Sequence, residues 1–434
     1  MARAVRPVSG LDRVAIVGGI RTPFAKRNSA YRNLAARDLA ILAVRELMER
    51  SALDPASLDA VVYGQVVPDV SAPNIAREVV LGLDLPRSVD AFSVSRACAT
   101  STQAFATGAM MIQTGQADVI VVGGADSMSD VPITVQRPLA DALVEASTAK
   151  KPFDKLKSFT HLSAKDLLPQ APAIAERSTG LTMGESAEKM AQENGISREA
   201  QDEFAHRSHT HAAVGFEKGV LDEEVFKVFV PPQYHAYGRD NLIRFDSDLE
   251  RYASLKPAFD RKWGSVTPGN SSPLTDGASA MLIMRESVAR SLGYRPWALL
   301  RSFAFAALDP GEQLLMGPAY ASPRALDAAG VQVSDLTLVD FHEAFSAQIL
   351  SNLQAFASRT FAEEKLGRSK ALGEIPMDQF NIYGGSIAVG HPFAATGARQ
   401  LITASRELDR RGGGLALVAQ CAAGGLGAAV VLER

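Results

Sequence analysis

The chain has 434 residues, and its 45 basic and 48 acidic residues leave a formal net charge of −3. This balance gives no electrostatic reason to expect nucleic acid or an anionic membrane as the main partner. Hydrophobic residues make up 47% of the chain, alongside 34 Gly and 22 Pro, which is ordinary for a globular protein of two or three structural units.

Cysteine usage and the termini predict the compartment. Two cysteines cannot build a disulfide framework, so we expect a reducing environment. The opening segment MARAVRPVSGLDR lacks the apolar stretch of a secretory signal. No apolar run approaches the roughly 20 residues needed to span a bilayer. We therefore expect a soluble, cytoplasmic protein.

Short apolar runs predict buried strands, and longer helical patterns separate them. In chain order the predicted strands are Val14–Val17, Ala60–Tyr63, Val119–Val122, Ala280–Met284, Thr337–Phe341, Leu415–Ala419 and Ala428–Leu432. The principal predicted helices are Ala36–Arg50, Thr102–Gln113 and Gly397–Arg411. Strands separated by helices of this length indicate parallel sheets joined by helical crossovers.

Three pairs of segments recur in the same order along the chain. Residues 51–66 resemble 327–344: a helix end, a strand and a polar turn. Residues 98–127 resemble 391–425, since each has a reactive residue, a helix, a glycine-containing turn, a strand and a Gly-Gly exit. DGASAMLIMRE resembles GGLGAAVVLER at the C-terminus. The shared order predicts two duplicated α/β halves.

The region between the repeats, residues 129–271, is richer in charge and proline. Its helical patterns, Gly184–Asn194 and Arg198–Glu217, have no counterpart in the repeat. We interpret it as an inserted loop domain, a kind of element that commonly supplies substrate contacts. The predicted organisation is an N-terminal half from residues 1–128 plus 272–292, the insert, and a C-terminal half from 293–434.

Within the insert, residues 150–169 are basic and carry an apolar residue at every third position from Phe153 to Leu162. Such a stripe could dock weakly on a membrane surface or on a partner protein. More often it packs on its own domain, and we favour that interpretation.

The first candidate for chemistry is Cys98, in SRACATSTQAF between a predicted strand and a buried helix. The free N–H groups and dipole at a helix start favour a thiolate there. Small neighbours would let a substrate carbonyl approach. Cysteine is equally often a small buried hydrophobic residue, and this segment alone leaves the two interpretations even.

Two further candidates lie in the C-terminal repeat. His391, in GGSIAVGHPFAATGARQ, could reach a neighbouring thiol as a base, or could merely hydrogen-bond its own turn. Cys421, in AQCAAGGLGAA, precedes a glycine-rich turn whose N–H groups could form an anion-binding nest, or is a core cysteine. Cys98 and His391 start matching helices of the two halves, so we expect their loops to meet at the strand ends.

DFHEAFSAQ, residues 340–348, supplies a second histidine after a strand. His342 could donate to an oxyanion directly or through a water molecule. Glu343 is a candidate supporting group, with helix capping and packing as the alternative. HRSHTH would place only His206 and His209 on one helix face, so we expect no metal site there. The chain has no G-x-G-x-x-G opening a helix and no GK[ST], which argues against nucleotide binding.

With these segments in view, the sequence resembles the thiolase family, the acyl-CoA C-acyltransferases. The matching motifs are VAIVGGIRTPFAK, SRACATSTQA, VVGGADSMS, TMGESAEKMA, KPAFDRKWGSVTPGNSSPLTDGA, HEAF, GGSIAVGHPFAATGAR and QCAAGGLGAA. The nearest likeness is the β-subunit type of the fatty-acid-oxidation trifunctional complex, which has His in HEAF where most thiolases have Asn. The resemblance implies an α/β fold of duplicated halves, five-layered α-β-α-β-α, with an inserted loop domain.

The resemblance also implies catalytic roles. Cys98 would be the nucleophile that becomes acylated, His391 its activating base, and Cys421 the acid/base at the α-carbon. His342 would replace the usual Asn that holds a water in the first oxyanion hole. The backbone N–H groups of Cys98 and Ala423 would form the second hole. Most thiolases have Gly at 423, so this donor requires backbone dihedrals that suit Ala.

For the substrate, the resemblance implies that Ser272 contacts the pantetheine arm of CoA and that Met183 and Phe345 lie near the acyl chain. Biosynthetic thiolases often have His before this Met-Gly, and Thr182 stands there instead, which favours the degradative type. CoA would be a substrate, with no metal or redox cofactor. The implied partners are acyl-CoA and CoA, a second copy in a homodimer or tetramer, and a hydratase/dehydrogenase subunit.

The implied function is that of a 3-ketoacyl-CoA thiolase of fatty acid β-oxidation with ping-pong kinetics. Biosynthetic formation of acetoacetyl-CoA is the first alternative. A ketoacyl-synthase-type condensing enzyme is another, although such enzymes have Cys-His-His or Cys-His-Asn sites and lack a second cysteine. A non-catalytic complex subunit and a Cys-His hydrolase are weaker alternatives.

Overall fold

A computed structural model describes residues 13–170 and 175–434. The opening segment MARAVRPVSGLDR, which we expect to lack a secretory signal, lies outside the described residues except for Arg13. Contacts between residues divide the chain into two compact units, Val131–Ile174 and the remainder. The separate unit is shorter than the predicted insert, and the predicted domain boundaries stay a prediction.

The strands, in chain order, are β1 Val14–Arg21, β2 Ala25–Lys26, β3 Ala60–Gly64, β4 Asp90–Val94, β5 Val119–Asp126, β6 Thr134–Val135, β7 Pro169–Gln170, β8 Val228–Val230, β9 His235–Tyr237, β10 Thr275–Arg285, β11 Ala298–Ala307, β12 Leu338–Phe341, β13 Leu415–Ala422 and β14 Leu426–Glu433. Each predicted strand overlaps one of these, since a run of apolar residues identifies a buried strand directly.

The α-helices are α1 Ala36–Ser51, α2 Ile75–Gly82, α3 Thr100–Gln113, α4 Arg137–Thr148, α5 Pro152–Lys157, α6 Met183–Glu193, α7 Arg198–Glu217, α8 Leu249–Ala253, α9 Glu286–Ser291, α10 Gly317–Ala329, α11 Ser346–Ala357, α12 Arg359–Leu366, α13 Ser386–Val389 and α14 Thr396–Arg411. Short 3₁₀ turns cover Pro55–Ser57, Ala164–Leu167, Leu221–Glu223, Val333–Asp335 and Phe393–Ala395. Every helix in residues 13–170 and 175–434 is too short or too polar to cross a lipid bilayer.

The larger unit contains a 10-stranded mixed sheet with the strand order β12-β13-β14-β11-β1-β10-β5-β3-β4, and β2 pairs with β10. The predicted duplication is visible in this order, because β3-β5-β10-β1 repeats as β12-β13-β14-β11. In both halves the first pair is parallel and the next two pairs are antiparallel. The expectation of parallel sheets is therefore wrong in part. In each half the strand that follows the crossover helix pairs in parallel, and the later strands pair antiparallel.

Two central helices bring the halves together. Residues of α3 and α14 share one apolar cluster with strands from both halves, including the fully buried Phe105, Leu401 and Ile402. The first turns of the helices touch, since the Ala398 N–H donates to Ser101 Oγ at 2.8 Å. A Cβ on Gly397 would lie 2.2 Å from Thr102 Oγ1, so the close approach requires glycine. This packing places the segments before α3 and α14 next to each other.

Residues 175–271 pack as part of the larger unit through buried polar contacts. Arg21, at the end of β1, donates to Glu224 at 2.8 Å and to Asp240 at 2.7 Å, and all three side chains are buried. Breaking such a buried pair by removing one partner typically costs about 3–5 kcal/mol. The segment is thus fixed firmly where it can support the strand ends.

The small unit, Val131–Ile174, holds α4, α5 and the β6–β7 pair. Its apolar stripe is exposed where we expected packing: Phe153 is 75% and Leu156 71% accessible, and Phe159 and Leu162 are half-buried. The favoured interpretation of residues 150–169 is wrong for the first two. A unit of this size buries too little surface to cover both faces of a short helix.

Candidate active site

Cys98 lies in a tight turn between β4 and α3. Ala97, just before it, adopts the left-handed conformation with φ of 43°, which costs about 1–3 kcal/mol for a residue other than glycine. Two hydrogen bonds to the Thr100 side chain hold the turn: Arg96 N donates at 2.8 Å, and the hydroxyl donates to Ala97 O at 2.7 Å. Cys98 as a whole residue is half-buried.

His391 lies in the equivalent turn before α14. Its N–H donates to Thr275 Oγ1 at 3.0 Å, and its Nδ1 is hydrogen-bonded to Thr396 Oγ1 at 2.7 Å. Gly390 has φ of 103°, which only glycine adopts readily. Nε2 is buried and has no hydrogen-bond partner in the described part of the chain. The imidazole is therefore held at one nitrogen and free at the other.

His342 follows β12 and is held in the same manner. Its Nδ1 is hydrogen-bonded to Ser386 Oγ at 2.9 Å, and its Nε2 is buried without a partner among residues 13–170 and 175–434. The His342 and His391 ring centroids are 4.1 Å apart. One nitrogen from each imidazole and the Cys98 sulfur lie within 4.8 Å of one another. The structure thus brings together three of the predicted residues.

Cys421 is the fourth, at the end of β13. It is buried, and the Cys98 thiol is close enough to raise its pKa further through charge repulsion. In the turn that follows, the left-handed positions are Gly424 and Gly425, with φ of 81° and 67°, and Ala423 is not among them. The Ala423 N–H donates to the Cys98 sulfur. Ala is therefore compatible with the predicted donor at this position.

Burial sets the protonation states of the cluster. It raises the pKa of Cys98 to about 12, only partly opposed by the Ala423 N–H, and the Asp126 carboxylate adds to the rise. Burial lowers the pKa of His391 to about 3, with the positive charge of Arg399 as a second cause. Burial, then His391 and Arg399, hold the pKa of His342 well below its usual value. The thiolate predicted at Cys98 is thus not the resting form: the site rests as a neutral thiol beside neutral imidazoles.

Glu343 does not join the cluster but supports the loop before His391. Its fully buried carboxylate accepts from Ser208 Oγ at 2.6 Å, Asn381 Nδ2 at 2.7 Å and Ile387 N at 3.2 Å. Burial raises its pKa, and these donors oppose the rise. These contacts fix α13 and the preceding glycines, and the bond from Ile387 N caps that helix. A role for Glu343 in the reaction stays a prediction.

A buried chain of polar side chains connects the elements that carry the four candidates. Thr102 of α3 donates to Gln420 of β13 at 2.8 Å, and Gln420 donates to Gln400 of α14 at 2.9 Å. Gln400 donates to Asp340 of β12 at 2.7 Å, and Arg399 also donates to Asp340, at 3.1 Å. Sequence reasoning missed these residues. A glutamine inside the apolar strand LALVAQCA was the available signal, because a buried amide needs partners.

The predicted substrate contacts lie on segments around the cluster. The Ser272 N–H donates to Ala344 O at 2.9 Å, which joins the PGNSS loop to HEAF. Met183 begins α6 and packs against the apolar cluster that contains both Phe345 and Cys421. Phe345 also packs edge-on against Phe259, with 6.2 Å between ring centroids. Their roles in binding CoA and the acyl chain stay predictions.

The histidines of HRSHTH anchor a loop. His206 Nδ1 is hydrogen-bonded to Ser247 Oγ at 3.0 Å, and His209 Nδ1 accepts from Arg244 N at 3.1 Å. Over the residues that the structure describes, the one group of three side chains close enough to share a metal ion is Cys98, His342 and His391.

Comparison with known families agrees with this arrangement. The thiolase N-terminal domain model matches residues 14–287, and the thiolase C-terminal domain model matches residues 294–434. The chain belongs to the thiolase family and is an acyltransferase. The resemblance inferred from the sequence motifs is confirmed.

Two relatives named 3-ketoacyl-CoA thiolase, from Serratia proteamaculans and Yersinia pestis, are each 56% identical over 422 residues, covering 97% of this chain and 97% of the relative. The Bacillus anthracis acetyl-CoA acetyltransferase structure superposes with a TM-score of 0.85 at 28% identity, covering 98% of this chain and 100% of the other. Human mitochondrial 3-ketoacyl-CoA thiolase in complex with CoA gives 0.83 at 26% identity, covering 100% and 99%. These similarities confirm the predicted fold class.

Proposed function

We propose that the chain is a 3-ketoacyl-CoA thiolase, which uses CoA to cleave 3-ketoacyl-CoA into acetyl-CoA and a shortened acyl-CoA. The observation that carries the proposal is the grouping of the Cys98 thiol with two half-free imidazoles within 4.8 Å, beside the second thiol of Cys421. Relatives that are 56% identical over 97% of the chain are named 3-ketoacyl-CoA thiolase, and that name supports the substrate class.

In the first step the Cys98 sulfur attacks the 3-keto carbon while His391 Nε2 takes the thiol proton. Both groups are neutral at rest, because burial holds the pKa of the thiol near 12 and that of the imidazole near 3. Proton transfer therefore creates two charges in a desolvated site. Those charges need preorganised hydrogen-bond donors, each worth about 3–4 kcal/mol in comparable sites.

Two sets of donors are available for these charges. The backbone N–H groups of Cys98 and Ala423 would hold the oxyanion formed when sulfur adds to the ketone. Collapse of this adduct breaks the carbon–carbon bond and leaves the enolate of acetyl-CoA. His342 Nε2–H and the protonated His391 would stabilise the enolate oxygen. The unpartnered state of both Nε2 atoms in the described residues supports this assignment.

Cys421 would then protonate the enolate carbon, and the acetyl-CoA formed would leave. A general acid at carbon needs a proton on its thiol at rest, and the raised pKa of Cys421 supplies that state. In the second step the CoA thiol gives its proton to the Cys421 thiolate as its sulfur attacks the acyl group on Cys98. The Cys98–acyl bond then breaks, and the departing Cys98 sulfur takes back the proton held by His391. We propose that CoA is a substrate and that no metal or redox cofactor takes part, since every proton and electron pair has a carrier in these steps.

CoA-dependent cleavage of 3-ketoacyl-CoAs of increasing chain length tests the proposal. We expect turnover with a preferred chain length, complete dependence on CoA, and loss of turnover in Cys98→Ala. Release of free acid without CoA would indicate a hydrolase. Decarboxylation of a malonyl thioester would indicate a condensing enzyme, for which the second thiol has no use.

The same site can run in reverse, and Thr182 at the N-cap of α6 supports the degradative direction. We also propose a homodimer or tetramer, since β4 is an edge strand that, in the described residues, pairs with β3 alone. A cytoplasmic location is proposed from the two free cysteines, which suit a reducing compartment. A partnership with a hydratase/dehydrogenase subunit and weak membrane contact through residues 150–169 stay predictions. The exposed Phe153 and Leu156 support the latter. Light scattering of the chain, alone and mixed with such a subunit, tests the oligomer and the partnership. Vesicle sedimentation tests the membrane contact.

A further inference from the structure

We propose that Cys98, His342 and His391 also form a binding site for zinc ions, and that zinc bound there inhibits the enzyme. Only the inhibition rests on the proposed function, because zinc would occupy the groups that start the cleavage. The binding itself follows from the donor set.

The geometry suits one metal ion. The Cys98 sulfur and one nitrogen of each imidazole lie within 4.8 Å of one another. Tetrahedral zinc has Zn–S near 2.3 Å and Zn–N near 2.0–2.1 Å, so its ligand atoms are about 3.3–3.6 Å apart. The observed spacing exceeds these values by at most about 1.2–1.5 Å, which rotation of the Cys98 side chain together with small shifts of the two rings would close. Cys98 is half-buried, whereas both histidines are fully or almost fully buried.

Both imidazoles present a free nitrogen in a fixed direction. Nε2 of His342 and Nε2 of His391 are buried without a hydrogen-bond partner in residues 13–170 and 175–434, and buried polar atoms are seldom unpaired. Their Nδ1 atoms are hydrogen-bonded to Ser386 and Thr396 at 2.9 and 2.7 Å. Metal-binding histidines usually have such an outer partner, which orients the free nitrogen toward the ion.

The binding step is balanced without a redox reaction. A Zn–S bond forms as the Cys98 S–H bond breaks, and the proton leaves to solvent. Two imidazoles and one thiolate favour zinc over magnesium or calcium, which prefer oxygen ligands. The fourth position stays open for water or for an added thiolate such as that of CoA. His342 is essential to the set, since the Asn found here in most thiolases would leave only two ligands.

The test uses the full chain without a histidine tag, stripped of metal and free of substrate. Zinc is titrated in competition with a chromophoric chelator, and cobalt(II) serves as an optical probe. We expect one zinc per chain and a thiolate-to-cobalt absorption band. Cys98→Ala should abolish that band, and His342→Asn should weaken zinc binding at least about 10-fold. Ser386→Ala keeps all three ligands and should weaken binding about 10-fold or more by removing the outer partner.

Matched controls are histidines outside the cluster. His235→Gln, on the exposed β9, and His206→Gln, on α7, should leave zinc affinity unchanged. The proposal is overturned if the cluster variants bind zinc as tightly as the parent, or if either control loses the site. Magnesium at the same concentration should not compete.

Cleavage by the metal-free enzyme is measured in parallel. An active enzyme that binds no zinc at the cluster overturns the metal site alone. An enzyme that binds zinc there but cleaves no 3-ketoacyl-CoA overturns the proposed function alone. If both hold, stoichiometric zinc should abolish cleavage, and a chelator should restore it.

Discussion

The turns that carry Cys98 and His391 are equivalent in the duplicated fold, yet they are built differently. The Cys98 turn holds itself, with left-handed Ala97 braced by the Thr100 side chain. The His391 turn depends on Gly390 and is braced by Thr275, a residue of the other half. Duplication thus provides two equivalent positions at the start of packed helices, both directed at the same site. Divergence then placed a nucleophile at one and a base at the other.

Removing the nucleophile has the largest expected effect. Cys98→Ala should lower cleavage of 3-ketoacyl-CoA by more than about 10⁴-fold, because no other group forms the thioester. Steady-state release of acetyl-CoA measures the loss. The melting temperature should stay close to that of the parent, since the side chain contributes little apolar area. Retained turnover in this variant would place the nucleophile elsewhere.

Removing the second thiol separates the two steps. Cys421→Ala should still be acylated by a simple acyl-CoA, because Cys98 and His391 remain, but carbon–carbon cleavage should fall by about 10²–10⁴-fold with the loss of the general acid. Single-turnover acylation and steady-state cleavage, measured on the same preparation, check both parts. Parent-level cleavage in this variant would be incompatible with an acid at this position.

The buried polar chain from Thr102 through Gln420 and Gln400 to Asp340 should align the turns that carry Cys98 and His391. Gln420→Leu leaves Thr102 and Gln400 without their partners, which should cost about 1–3 kcal/mol in the free energy of unfolding. Misalignment of the turns that carry Cys98 and His391 should also lower kcat by about 10- to 100-fold. Urea unfolding and kinetics measure the two effects. Gln354→Leu, on the exposed face of α11, is the control and should change neither.

Asp126 connects the two turns electrostatically and has the smallest expected effect. Its carboxylate accepts from Ala394 N at 2.8 Å, burial raises its pKa to about 7, and its charge raises the pKa of Cys98. The charge appears as the pH rises through 7. Asp126→Asn should therefore speed alkylation of Cys98 at about pH 8 by less than about 10-fold, equivalent to one pKa unit, and should have little effect near pH 6.

Iodoacetamide kinetics against pH provide the measurement. In the parent, a thiol pKa near 12 means that the alkylation rate keeps rising through pH 9 without a plateau. A plateau below pH 9 would contradict the neutral resting thiol. An Asp126→Asn effect as large at pH 6 as at pH 8 would point to distortion of the turn instead of charge.

Much of the fold could be predicted because buried strands and packed helices have local signals. The apolar run at Leu415–Ala419 and the helix at Gly397–Arg411 lie within β13 and α14. The antiparallel partners could not be predicted, since pairing of β10 with β5 depends on residues about 160 positions apart in the chain.

The residues of the site could be predicted from the sequence, but the protonation state of Cys98 could not. Motif spacing and the repeat indicated Cys98 and His391, which the structure brings together. The protonation of Cys98 depends on burial among Ala99, Ala422 and Ala428, two of which come from the other half. A helix start alone therefore suggested a thiolate that the assembled environment disfavours.

The most direct test is to locate the acyl group. The parent enzyme is mixed with 3-ketoacyl-CoA in the absence of free CoA, quenched in acid and digested for mass spectrometry. We predict one acyl group per chain, attached to Cys98 and released when CoA is added before the quench. An acyl group on Cys421 alone, or turnover with no acyl-enzyme under any condition, would contradict the account.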